Sequence, residues 1–271
     1  MMGFVLAISW LIAQAAPPSR APEGVTIRGI SATDRLGRGA CTGDRELVVK
    51  SLAEGGKSNA NVPIADVEGP ALFLVAACPD TGDAVDSVRA DIARLLIDAQ
   101  AEVARPGVIR FERGGVPMAP HVAAAYMRRP KVLEVLLAKG APVDEGDYSR
   151  DGSAIMWAAE QGCAECVAVL ENHGATIDRR NSVGLTALFV AAIRGDGGMV
   201  DRLIDAGASP FAKEPMGKRV LDVAKTDAIR AGIRKAQWRT AGAIAAWLFA
   251  AFAVLGAVWF QWRRRESAEE E

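Results

Sequence analysis

The sequence predicts an all-α solenoid of about six stacked helix pairs, two of them caps, followed by one C-terminal transmembrane helix. Three observations lead there. The helix-ending positions Gln100, Gly140, Gly174 and Gly207 are spaced by 40, 34 and 33 residues, a recurrence on the scale of stacked repeat units. Alanines recur at matching places in the first helix of successive pairs (Ala123/Ala124/Ala125, Ala158/Ala159, Ala191/Ala192), where small side chains let neighbouring helices approach closely. Residues 241–260 run twenty positions without a charge, about 30 Å as a helix, which matches a bilayer core.

Residues 1–15 read as a signal peptide. Gly3 to Ala15 is uncharged and almost wholly apolar. At about 20 Å it is too short to span a bilayer, and it ends in Ala13-Gln14-Ala15, the small-x-small pattern of a signal-peptidase site. Residues 16–29 follow as a short linker, and 30–237 form the repeat domain. Its first unit places a helix near Ile30 to Cys41, weakened by Gly37 and Gly39, and a second over Asp44 to Gly55. The next unit carries an insertion, Cys78 to Ser87, between its helices. It ends at Gln100, where a left-handed backbone would cost a non-glycine residue about 1 kcal/mol. Val103 to Pro117 lengthens the connection beyond it, read as a loop. Three regular units follow: Ala119–Ala125 with Val132–Ala141, Ser153–Gly162 with Val167–Ala175, and Gly184–Gly195 with Met199–Ala208. Ser153 and Thr186 stand where N-caps are needed. Gly217–Lys225 and Ala228–Trp238 complete a closing unit.

A period settling at 33 to 34, Gly-Ala after each second helix, and Gly184-Leu185-Thr186 before a first helix resemble the ankyrin repeat over residues 30–237. No unit keeps both Thr and His of that family's Thr-Pro-Leu-His tetrapeptide. The resemblance implies a protein-binding module, without catalytic residues, metal or cofactor. It also implies where binding occurs. The ends of the first helices supply Tyr126, Met127, Glu160, Gln161, Ile193 and Arg194. The turn tips between units supply Ser149, Arg150, Arg179, Arg180, Ser182 and Val183. The Val103–Pro117 loop is the alternative place.

Composition narrows the remaining classes. Half the chain is hydrophobic and 24% is charged, with 32 Lys and Arg against 33 Asp and Glu. Such a balance gives no bulk attraction to nucleic acid. One Trp, two Tyr and four Phe between residues 16 and 237 are too few for base-stacking platforms. Two histidines, His121 and His173, limit acid–base and metal chemistry. Cys163-Ala164-Glu165-Cys166 is the one CxxC. Cys166 stands where Val or Ile fills a core position, which favours packing over redox work, and a thiol oxidoreductase is the rival class. Cys41 and Cys78 fall at the ends of first helices in adjacent units. They are either two buried thiols or, in an oxidising compartment, a disulfide.

The bilayer is the expected partner of 241–260, flanked by Trp238, Trp259 and Trp262 and stopped by Arg263-Arg264-Arg265 in the charged tail 261–271. A Gly242/Ala246/Ala250 stripe offers a route to a homodimer through the anchor. Basic residues tie across the span, three against three, so the signal-like start decides for a repeat domain outside the cytoplasm; without it, the chain is tail-anchored with the domain inside. Mass spectrometry of the mature membrane-bound protein should find a chain beginning at or near Ala16. Recovery of intact Met1 would remove both the signal peptide and the outside orientation.

Overall fold

A computed structural model of the chain describes residues 31–79, 86–112, 114–147 and 151–242, together with 247, 251 and 255. The segments 1–15, 16–29 and 261–271 lie outside the described residues, and 241–260 lies largely outside them. No described helix is long and apolar enough to cross a membrane.

The described residues form six consecutive helix pairs. They are α1 (Ala32–Thr42) with α2 (Arg45–Ala53), α3 (Ala71–Ala77) with α4 (Asp86–Asp98), and α5 (Pro120–Tyr126) with α6 (Pro130–Ala138). Next come α7 (Ala154–Gln161) with α8 (Ala164–Asn172), α9 (Ala187–Arg194) with α10 (Gly197–Asp205), and α11 (Val220–Val223) with α12 over 227–242. The first helices stack on one another in chain order from α1 to α11, and the second helices stack from α2 to α10 as a parallel layer. Each helix pair thus covers the apolar face of the next.

Side-chain size sets this stacking. Ala76, Ala77, Ala123, Ala124, Ala125, Ala158, Ala159, Ala191 and Ala192 are all fully buried. In α1 Ala40 is fully buried in the same way, while Gly37 and Gly39, which weaken the helix as a sequence, admit Val62 and Val48 of α2. A Cβ on Gly37 would lie 2.8 Å from Val62 Cγ1. In the second layer Leu96, Leu133, Leu136, Leu170 and Leu203 fill the space behind, each fully buried.

The second helices end in a left-handed residue at Gln100 (φ 65), Gly140 (φ 90), Gly174 (φ 78) and Gly207 (φ 96). No atom lies within 4 Å of a Cβ built on any of these three glycines. Backbone conformation alone favours glycine there, which is why glutamine is accommodated at the fourth place for about 1 kcal/mol. Ser153 and Thr186 occupy N-cap backbone positions, yet neither side chain accepts a capping hydrogen bond.

An all-α description is incomplete. The connection expected as a loop, Val103–Pro117, and the segment before α3 carry a four-stranded antiparallel sheet, β1 (Val62–Ile64), β2 (Val67–Gly69), β3 (Gly107–Phe111) and β4 (Gly114–Met118), in that spatial order. Val67 pairs with Ile109, and Ile109 with Val116. Val62, Val67, Ile109 and Met118 turn inward and are buried. The strands lie against Phe73 of α3: a Cβ on Gly107 would come 2.1 Å from its ring, and one on Gly69, 2.6 Å. Val103–Pro117 is therefore the longer part of a hairpin that thickens the N-terminal half, with glycine where the aromatic ring leaves no space.

Cys41 and Cys78 are bridged, with Cα atoms 5.2 Å apart. The bond ties the end of α1 to the end of α3, next to two buried guanidinium groups. Arg89 Nη2 donates to the Cys41 carbonyl at 2.9 Å, and Arg129 Nη1 to the Val75 carbonyl at 2.7 Å and its Nη2 to the Cys78 carbonyl. Positive charge at helix C-termini satisfies carbonyls the helix leaves unpaired. Cys163 and Cys166, expected as packed thiols, are also bridged, with Cα atoms 5.2 Å apart. By loop-closure entropy the first bridge, spanning 37 residues, is worth roughly 4 kcal/mol.

Leu136 is fully buried in α6, so Leu136→Ala should destabilise the fold by about 2–5 kcal/mol in urea denaturation. A change below about 0.5 kcal/mol would mean that this helix face is not core.

Candidate protein-binding surface

The turn tips and the ends of the first helices form one edge of the array, and the tips are fastened to each other. In the tip at 146–153, Gly146 pairs with Ser153. The buried Asp147 carboxylate accepts from the Gly152 amide at 2.8 Å and from Trp157 Nε1 at 3.3 Å. Arg179 Nη2 reaches Asp151 at 2.7 Å from the next tip. That second tip is closed by Asn181, whose side-chain oxygen accepts from the Val183 and Leu185 amides at 3.2 and 2.9 Å. Arg180 Nη1 donates to the Gly184 carbonyl at 2.8 Å and to the Lys213 carbonyl of the third tip at 2.7 Å. Below them, Thr176 and Ser209 amides donate to Asp144 and Asp178 of the preceding unit at 2.8 and 3.1 Å. These bonds repeat at the period of the array and hold each tip in register with the next.

The expected site residues divide accordingly. Arg194 is exposed, and Met127, Gln161 and Ile193 are half-buried. Val183 is 51% exposed, and Arg180 and Ser182 are exposed beside it. Arg179 is half-buried against Asp151. Ser149 and Arg150 lie outside the described residues. The expectation that stacking leaves Tyr126 and Glu160 open is corrected: Tyr126 is 3% exposed and Glu160 8%. The Tyr126 ring packs edge-on against Phe111 and Trp157, with centroids 5.9 and 5.2 Å away. Phe111 belongs to the β-hairpin, so the unforeseen sheet is what covers the tyrosine. Burial, reinforced by the nearby Glu160 charge, pushes the Tyr126 phenol up to about 12.

Sequence reasoning missed Phe211 and Met216, which are 49% and 73% exposed. The signal was available, because Met216 follows Val183 by one 33-residue period and Lys213 follows Arg180 by the same interval. Phe211, Arg180, Asp178 and Lys213 also line a cavity of about 350 Å³ between the second and third tips. Val183, Phe211 and Met216 are exposed apolar side chains on these tips, set among charged ones: Arg180, Lys213 and Lys218 together with Asp178 and Glu214. Polar-rimmed apolar surface of this kind marks interaction sites.

His121 stands at the start of α5, fully buried, its Nε2 3.4 Å from the Glu145 carbonyl. Burial pushes the imidazole below its ordinary value of 6.5, partly offset by the Glu145 carbonyl. A depressed folded value means that the unfolded chain takes up the proton first. Stability present above pH 6.5 is therefore lost as the pH falls below it. The melting temperature should drop between pH 7 and pH 5 relative to a His121→Leu variant run in parallel. Parallel melting curves across that interval would show that His121 does not titrate differently in the folded state.

Residues 120–214 match the family model for ankyrin repeats in three copies. The chain is similar to a putative ankyrin repeat-containing protein of Treponema pallidum (strain Nichols), 38% identical over 136 residues, which is 50% of this chain and 43% of that protein. It is similar to NF-kappa-B inhibitor alpha of Homo sapiens, 33% identical over 98 residues, 34% of this chain and 31% of the other. A glycerophosphocholine phosphodiesterase of Schizosaccharomyces pombe (strain 972 / ATCC 24843) shares 34% identity over 83 residues, 31% of this chain and 7% of that protein. The chain spans less than half the length of each of these relatives. Over residues 120–214 the stacked helix pairs, the left-handed glycines and the fastened turn tips thus match three ankyrin repeats, which imply a protein-interaction module.

Proposed function

We propose that this chain is a non-enzymatic adaptor that binds a protein partner along its turn tips while residues 241–260 hold it to a membrane, with the repeat domain outside the cytoplasm. The observation that carries the binding reading is the exposure of Val183, Phe211 and Met216 on tips locked together by Arg180 and Asn181. Apolar side chains on pre-organised tips lose little freedom on association, so more of the contact energy appears as affinity. The charged side chains around them favour a partner segment with apolar residues and complementary charges. One similar protein is named as an inhibitor of NF-kappa-B, and acting on another protein is what such a surface suits. The membrane reading is supported by the uncharged run and its tryptophan and arginine borders, and the outside orientation by the signal-like start.

Full-length protein bearing Val183→Ser, Phe211→Ser and Met216→Ser together should lose, by at least tenfold, the partner that wild type captures from membrane extracts. Helicity and melting should stay unchanged. Val49→Ser, at an exposed position of α2, should retain capture. Equal capture by the triple variant would move binding away from the tips. Protease added to cells with a permeabilised outer barrier should digest the repeat domain and leave a small fragment containing 241–271. Protection there, with digestion in inverted vesicles, would place the domain in the cytoplasm.

A further inference from the structure

The second helices need an acceptor for the amides of their first turn: a carboxylate supplies it at α2, α6 and α10, the Thr226 hydroxyl at α12, and sulfur at α8. Asp44 Oδ1 accepts from the Leu47 amide at 2.9 Å at the start of α2, and Asp196 Oδ1 from the Met199 amide at 2.9 Å at the start of α10. At α6 the cap residue is Arg129, and Asp86 of the preceding unit supplies the carboxylate, 2.7 Å from the Lys131 amide. At α8 the acceptor is sulfur: Cys163 Sγ lies 3.2 Å from the Cys166 amide. Cys163 thus occupies a backbone site that holds a full negative charge in the units around it, and its bond partner is Cys166.

The two bridges of the chain are built differently. Cys41–Cys78 joins separate repeats 37 residues apart beside the buried side chains of Arg89 and Arg129. Cys163–Cys166 closes within one helical turn and joins nothing that the helix does not already hold together. Both cysteines are buried, Cys163 at the N-cap position and Cys166 within the first turn of the helix. A disulfide that closes within one helical turn and, on reduction, leaves Cys163 Sγ in an anion-accepting site is suited to exchange rather than to bracing.

We propose that Cys163–Cys166 is a redox-active disulfide that accepts electrons from a dithiol, with Cys163 as the sulfur attacked. A thiolate of the dithiol bonds to Cys163 Sγ. The Cys163–Cys166 bond breaks, and its electron pair leaves on Cys166 Sγ, which takes a proton. The second thiol of the donor, on losing its proton, attacks the donor's own sulfur in the mixed disulfide and expels Cys163 as a thiolate held by the Cys166 amide. Two electrons move: the dithiol is oxidised to a disulfide, and the Cys163–Cys166 bond is reduced to a thiolate and a thiol. The reverse sequence oxidises the pair again. The group has no part in the turn-tip surface, so this chemistry stands apart from protein binding there.

The test treats oxidised full-length protein with dithiothreitol under native conditions, quenches with N-ethylmaleimide at intervals, and counts alkyl groups on each cysteine peptide by mass spectrometry. Cys163 and Cys166 should become alkylated at least 100-fold faster than Cys41 and Cys78, with helicity and melting retained when only the first pair is open. Cys166→Ser protein should form a stable mixed disulfide with a dithiol peptide through Cys163, whereas Cys163→Ser protein should form at least tenfold less through Cys166. Opening of both bridges at one rate, or opening of Cys163–Cys166 only as helicity is lost, would overturn the proposal. So would equal trapping by the two single variants. Because the rate comparison uses wild-type protein, it decides the matter even where a variant folds poorly.

Discussion

Contact between neighbouring first helices through side chains no larger than a methyl group is the constraint on which the rest of this structure depends. Alanines fill that role from α3 to α9 and Ala40 does so in α1, where Gly37 and Gly39 make room instead for Val62 of β1 and Val48 of α2. Because these helices sit close, the second helices behind them are separated by a distance that leucine fills, and a full leucine layer is buried there. A larger residue in the first layer would force the units apart and empty the second, since packed interiors absorb added volume poorly.

Polar groups at helix ends carry the connection between units that apolar packing alone would leave unspecific. Asp86 caps a helix of the next unit rather than its own, and Arg89 and Arg129 satisfy the final carbonyls of α1 and α3 on either side of the Cys41–Cys78 bridge. Asp144 and Asp178 repeat a simpler form of the same device farther along. Buried guanidinium groups are expensive to desolvate, and here the carbonyls they meet would otherwise be unpaired. The N-terminal half thus holds together by charge, disulfide and sheet, the C-terminal half by regular repetition.

That division places the interaction surface. Where the hairpin β3–β4 folds over the array, Phe111 covers Tyr126 and removes it from the edge. Beyond the hairpin the tips are uncovered, and Val183, Phe211 and Met216 emerge from turns that are fully hydrogen-bonded at their bases. Rigid tips carrying apolar side chains favour recognition by surface complementarity over rearrangement on contact.

Periodic features were legible in the sequence because each one is a local demand repeated. The helix pairs follow from alanine and leucine spacing, the helix ends from Gly140, Gly174 and Gly207, and the ankyrin resemblance from their 33- to 34-residue interval. Even Met216 could have been found by adding one period to Val183. What breaks the period depended on distant parts of the chain. The sheet forms because β2 and β3, about forty residues apart, meet on Phe73, and no local pattern encodes that meeting. Whether Tyr126 faces solvent was settled by the hairpin and the aromatic cluster, not by its place before a helix end. The cysteines show the same limit: their positions at helix ends were visible, but which sulfurs join depended on how closely first helices approach and on a one-turn geometry at the start of α8. Local chemistry determines which elements form, and tertiary packing decides which of their side chains remain available, because exposure belongs to the neighbours as much as to the residue.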